Sequence, residues 1–283
     1  MNLLSAIKTL LPSQKPLYGL DHAILNIPLP PQSMWMNMGY WEQETNLPEA
    51  SRALLDQLLL SAGLFLDTDT DTDTDTDPSG DGNGKHSTTT INLIDLGFGC
   101  GDQTLYLARR FPRRLGRYVG ITMLASQTEL AAQRLAVDPE IAPAVKNRVD
   151  LFTADAADPS SWSPELQDAI ASIPPSSTNS GHAGDDAGSG SCENWLLALD
   201  TLYHFLPSRV PIFSHARSLD ASLMAFDLLL ADSVPLWTRL LLWAVCWVAG
   251  IPIGNLVTRD EYVAMLVRAG YRIEGIEVRD VSA

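Results

Sequence analysis

The stretch from Ile91 to Thr104, INLIDLGFGCGDQT, constrains what this chain can fold into more than any other. Mostly apolar residues run into Asp95 and then into Gly97, Gly99 and Gly101, after which Asp102 and Gln103 open a helical pattern. An apolar run ended by glycines reads as a buried strand, Leu93 to Leu96. Thr104 to Arg110 reads as a helix with Arg109 and Arg110 at its favourable dipole end. Glycines at every second position of a strand-to-helix turn mean that something passes close to the backbone. A dinucleotide, a nucleoside-bearing cofactor, a phosphate or the packing of the turn itself could each be that neighbour.

The letters around the glycines narrow the choice. A triphosphate loop needs Gly-Lys-Ser/Thr where Asp102-Gln103 stands, so triphosphate binding is excluded. The nicotinamide fingerprint matches Gly97 and Gly99 but has Asp102 in place of its third glycine, which sets a carboxylate against a pyrophosphate. A dinucleotide oxidoreductase is disfavoured on that ground. Asp95 and Asp102 together suit a cofactor with a positive centre and no phosphate.

Strands and helices alternate along the rest of the chain. Strands are expected at Tyr118 to Ile121, Arg148 to Thr153, Trp195 to Leu199, Leu223 to Ala231 and Tyr271 to Val278. Helices are expected at Leu47 to Gly63, Ser126 to Val137 and Asp260 to Ala269. Repeated βα units of this length predict an α/β fold, a Rossmann-like doubly wound and mostly parallel sheet whose ligand crevice lies at the carboxyl ends of the strands.

The D-L-G-x-G-x-G run at Asp95 to Gly101 resembles motif I of the class I S-adenosylmethionine-dependent methyltransferases. The stretch Val119-Gly120-Ile121-Thr122 with Gln127 is similar to a segment of the small-molecule branch holding cyclopropane synthases and tocopherol and sterol methyltransferases. The resemblance implies S-adenosyl-L-methionine as cofactor, held by the glycine loop with Asp95, Asp102 and Gln103. Most class I enzymes hold the ribose with an acid after the second strand; none stands between Phe111 and Gln127, so Thr122 and Gln127 take that role. Asp155 and Ala156 correspond to the adenine site, and Asp200, Tyr203 and His204 to the loop nearest the methyl group, with His204 the candidate base. Met36 to Trp41 resembles the N-G-Y-W stretch of these enzymes, and Tyr40 is the candidate for an aromatic face against the sulfonium. The resemblance divides the chain into a segment 1–36 and a methyltransferase domain 37–283.

Two segments break the patterning, at about 67–90 and 172–191, and both have the composition of disordered insertions. The Asp-Thr repeat within the first lacks the glycine turn and closing Glu of a calcium loop, and no metal site is expected. The formal charge is −15, with six of the acids in that repeat, and no basic stripe offsets it, so nucleic acid is excluded as a partner. Three scattered cysteines fit a reducing, intracellular compartment. Residues 240–257 carry no charge, but Gly250, Pro252 and Gly254 leave only Leu236 to Ala249 helical, too short to span a bilayer. A helical lid at about 234–256 over an apolar pocket is expected, with peripheral membrane contact through 236–253 as the alternative. Either points to a small apolar or lipid-like acceptor. After Tyr271 to Val278 the sequence given has no further strand where relatives continue, so the last strand of the fold is expected to be lacking. That leaves a second reading, a catalytically degenerate protein of the same fold serving as a binding or partner subunit.

Overall fold

The computed structural model describes residues 33–64, 89–177, 191–231, 233–249 and 252–281. Most of the segment 1–36 and of both low-complexity insertions lies outside the described residues.

Five parallel strands form the sheet: β1 (Thr90–Leu96), β2 (Leu115–Thr122), β3 (Val149–Thr153), β4 (Cys192–Leu199) and β5 (Ser222–Phe226), in the order β3-β2-β1-β4-β5. The chain moves outward from β1 through β2 to β3, then returns to the other side of β1 for β4 and β5. The switch of direction lies between β1 and β4, and in an open sheet of this kind the ligand crevice is expected at the carboxyl ends of those strands.

The residues of β1 explain its central place. Ile91 and Leu93 face one side, Ile94 and Leu96 the other, and all four are buried, as expected of a strand covered on both faces. Against the first side pack α1 (Leu47–Ser61), α2 (Asp102–Arg110), α3 (Ala125–Val137) and the short α4 (Pro143–Lys146). Against the second pack α5 (Pro164–Ala171), α6 (Val210–Ser218) and α8 (Arg259–Arg268). The fold is thus the α/β, doubly wound, Rossmann-like sheet that the alternating pattern predicts. Helix α7 (Leu236–Ala249) begins where expected and leaves most of its apolar side chains exposed.

The expected strand Tyr271 to Val278 does not form. The amides of Gly275 and Ile276 bond back to the carbonyls of Arg272 and Ile273, closing a short 3-10 turn at Ile273–Gly275. Ile273 is 61% exposed, so the alternating pattern here has no neighbouring strand to bury its apolar positions. Among the described residues no strand pairs with the outer edge of β5.

Candidate cofactor crevice

The glycine loop sits at the carboxyl end of β1, beside the switch point. Gly97, Gly99 and Gly101 all have positive φ (76°, 61° and 89°), which l-residues with side chains rarely adopt. Each also lacks room. A Cβ on Gly101 would stand 2.7 Å from that of Ala131, so this glycine lets α2 and α3 close on one another. A Cβ on Gly97 would stand 2.7 Å from the Thr201 hydroxyl, and one on Gly99 2.4 Å from the terminal methyl of Met36. Gly101 therefore serves helix packing, and Gly97 and Gly99 let Thr201, from the loop after β4, and Met36, from the N-terminal strap 34–38, approach the loop closely.

The acids are disposed differently from the expectation. Asp95 is fully buried on the side of β1 that α1 to α4 cover, where it accepts hydrogen bonds from Gln103 Nε2 (2.5 Å) and the Tyr118 hydroxyl, itself bonded to Thr104. Burial raises its carboxyl to about 6, and the two hydrogen bonds only partly oppose that. Asp102 is gripped by both guanidinium nitrogens of Arg134 (2.7 and 2.9 Å) and accepts the Met34 amide (3.0 Å). Asp102 is paired with Arg134, so the like-charge argument against phosphate rests on Asp95 alone, which is buried without a cation beside it. Gln103 likewise spends its side chain on Asp95. Arg134 also donates to the Cys100 carbonyl (2.6 Å), tying α3 to the loop.

Thr122, at the end of β2, donates to the Oε1 of Gln127 (2.6 Å), and the Gln127 amide nitrogen lies 3.8 Å from the Met36 sulfur. Asp155 folds its own loop: its carboxylate accepts the Ala157 amide (2.8 Å) and its carbonyl the Trp162 indole (2.8 Å), with Ala156 buried beside it. Thr122 ends β2, Gln127 lies in the first turn of α3, and Asp155 and Ala156 follow the adjacent strand β3.

Asp200 follows β4 with φ of 59°. Its Oδ2 accepts the Met38 amide (2.7 Å), while the buried Oδ1 makes no hydrogen bond of good geometry. Burial raises this carboxyl, with the Tyr203 side chain and the Met38 amide opposing. Tyr203 is buried, and the His204 ring stacks on it at a tilt, centroids 4.2 Å apart. Burial lowers His204 to about 4, so it is neutral at physiological pH and a weak base. Tyr40 is not brought to the crevice: its hydroxyl bonds Glu42 (3.1 Å) at the surface and its ring packs on the core under α1.

The strap makes its approach through Met34, Met36 and Met38 rather than through the aromatics. Two backbone amides and one thioether reach Asp102, Asp200 and Gln127. Sequence reasoning missed these, because a backbone donor leaves no residue-type signal. It also missed Arg209. That side chain is wholly buried, ion-paired with Asp227 (2.7 Å), donates to the Asn255 carbonyl (2.5 Å) and lies over the Tyr262 ring at 5.1 Å.

No family model and no curated protein sequence matches the chain. Among solved structures it is similar to the 4+2 cyclase SpnF (16% identity, 83% of this chain and 64% of that one, TM-score 0.48). It is similar to a geranyl diphosphate methyltransferase in complex with geranyl diphosphate and sinefungin (13%, 80% and 62%, TM-score 0.46). It is also similar to an arsenic(III) S-adenosylmethionine methyltransferase from Chlamydomonas reinhardtii (14%, 65% and 52%, TM-score 0.43). The chain spans 64%, 41% and 46% of the length of the first three such structures. At these values the fold stands on the sheet order itself, and the function on the chain's own residues.

Proposed function

We propose that the crevice binds S-adenosyl-L-methionine and that the chain transfers its methyl group to a small apolar or lipid-like acceptor. The observation that carries this reading is the pairing of a left-handed glycine loop at the β1–β4 switch point with a neutral Thr122–Gln127 pair at the end of β2. The residues fit the group. The space above Gly99 is filled by a flexible methionine tip, which a ligand can displace at little cost, and the buried Asp200 stands beside Thr201, against which Gly97 packs.

In this reading the backbone of 97–101 and Asp200 hold the amino-acid end, Thr122 and Gln127 the ribose, and Asp155 with Ala156 the adenine side. The cofactor supplies an electrophilic methyl on a positively charged sulfur. The chain's part is to align that methyl with the acceptor and to exclude water. His204, neutral and weakly basic, can accept a proton only from an acceptor that becomes strongly acidic as its new bond forms. The strap must shift its Met36 side chain for the site to fill.

A non-catalytic reading has one observation in its favour, the burial that keeps His204 so weak a base. Calorimetric titration with S-adenosyl-L-methionine separates the outcomes. Wild type is expected to bind, Gly99→Val to lose affinity by about tenfold or more, and Met36→Ala to retain or gain it. Unchanged affinity in Gly99→Val sinks the assignment of the glycine loop. Binding without turnover over a broad acceptor panel supports the non-catalytic reading.

A further inference from the structure

Helix α7 carries an apolar surface that the cofactor reading does not use. At about 100° per residue, the exposed positions run from Trp243 through Trp247, Leu240, Trp237 and Val248 to Val245, an arc of about 200° in which every residue is apolar. Leu236 and Val248, at opposite ends of the helix, are 81% and 78% exposed. Only a narrow opposite stripe of Thr238, Leu242 and Cys246 is drawn toward the protein, and the helix's one charge, Arg239, borders that stripe.

The breadth of the arc decides what can cover it. A helix packing on a protein buries a stripe of roughly 100° or a little more, which leaves much of this arc wet. The helix is about 21 Å long and about 10 Å across, so its projected face is on the order of 200 Å². Even doubled for side-chain relief, that is well short of the roughly 800 Å² per partner of a stable protein interface. A second copy would also set two chains of −15 formal charge side by side. Acyl chains, by contrast, surround a helix on all sides that enter them. No described helix is long and apolar enough to cross a membrane, and α7 has 14 residues, which suits one leaflet. Three tryptophans on the exposed arc are of the type that settles at the boundary of headgroups and hydrocarbon. The acidic chain disfavours anionic headgroups.

We propose that α7 docks the protein on a neutral, zwitterionic lipid surface by burying this arc in one leaflet. The inference is independent of the methyl-transfer reading, because its readout involves neither cofactor nor turnover. The test is flotation of the full chain with phosphatidylcholine vesicles, at low and high salt. Wild type is expected to float with the vesicles and to be insensitive to salt. Leu240→Glu and Trp247→Glu are each expected to weaken partitioning by about tenfold or more. Val137→Glu, a charge added at an equally exposed apolar site on α3, is expected to change nothing. Circular dichroism shows that each variant is folded. Failure of folded wild type to float overturns the proposal. So does flotation only with anionic phosphatidylglycerol vesicles, or Glu variants that float as well as wild type. Self-association in the absence of vesicles, abolished by Leu240→Glu, assigns the arc to a second copy instead.

Discussion

Asp95 lies on the same side of β1 as Ile91 and Leu93, so its carboxyl competes for a place in the core rather than for a ligand. Its ordinary value of 3.8 rises to about 6 because burial outweighs the bonds from Tyr118 and Gln103. The folded state therefore holds a proton that the unfolded chain has already lost between those two values. The stability this contributes is complete below about 3.8 and disappears as the pH rises through about 6. At pH 7 the group is ionised in both states, and keeping it charged in the core costs on the order of 3 kcal/mol. Asp95→Asn removes that cost. Its amide can donate to the Tyr118 oxygen while Tyr118 donates to Thr104, leaving no buried group unpaired. We expect Asp95→Asn to be more stable than wild type at pH 7 and to lose that advantage near pH 4, measured by urea unfolding at both pH values. A pH-independent difference between the two proteins would refute the account. The alternation of β1 puts Asp95 on the side that Ile91 and Leu93 fill, a placement that its residue type alone does not give.

Among the elements, α8 shows how much a few polar atoms decide. Thr258 accepts the Glu261 amide and Glu261 accepts the Thr258 amide, a reciprocal cap that satisfies two donors at the helix start. Thr258→Ala is expected to cost about 1 kcal/mol of global stability, read as a lower urea midpoint with unchanged slope. If the midpoint does not move, the cap is not formed in solution. Where a boundary is set by such local signals, or by apolar periodicity, the sequence suffices to place it. The five strands, the first helix and the Leu236–Ala249 helix were all legible in this way, although β5 ends at Phe226 and not at the expected Ala231. Helices α5 and α6 were not, because each follows a Ser-Pro or Pro-rich turn that reads as loop, with only a short apolar stripe of Leu166 and Ile170, or Ile212 and Phe213, to bury. Tyr271 to Val278 failed in the opposite sense. Alternation shows that a strand is affordable, but only a partner edge makes one, and partner edges are a property of the assembled sheet. The crevice follows the same division. Gly97, Gly99, Thr122, Gln127 and Asp200 stand at or just after the carboxyl ends of β1, β2 and β4, where the order of elements puts them, whereas Met34, Met36 and Met38 reach the same edge from far away in the chain. That contact depends on how the strap crosses the sheet.

At the scale of the molecule, one buried cation links the parts that surround the crevice. Arg209, from the loop after β4, pairs with Asp227 at the end of β5 and donates to the carbonyl of Asn255, in the segment that joins α7 to α8. Asn255 in turn donates to the carbonyls of Tyr203 and Phe205 (3.2 and 2.6 Å), and Tyr262 of α8 lies under the guanidinium. Burial raises Asp227 to about 6 even with Arg209 opposing it, so the pair is formed and charged at pH 7. Removing the cation alone strands a carboxylate inside the protein. Arg209→Met is therefore expected to lose about 3–5 kcal/mol at pH 7, whereas removing both charges in Arg209→Met/Asp227→Leu is expected to restore much of that loss. The sign of the pH effect follows. Without Arg209 the Asp227 carboxyl rises further above its unfolded value, so the stability tied to its proton is present at acid pH and lost as the pH climbs. The deficit of Arg209→Met relative to wild type should accordingly shrink between pH 7 and pH 5. Because the carbonyls of Tyr203 and Phe205 hang on the same network, the single variant should also weaken cofactor binding at temperatures where it remains folded, and the double variant should recover only part of it. A double variant no more stable than Arg209→Met would mean that Arg209 acts through its contacts with Asn255 and Tyr262 and not through its charge.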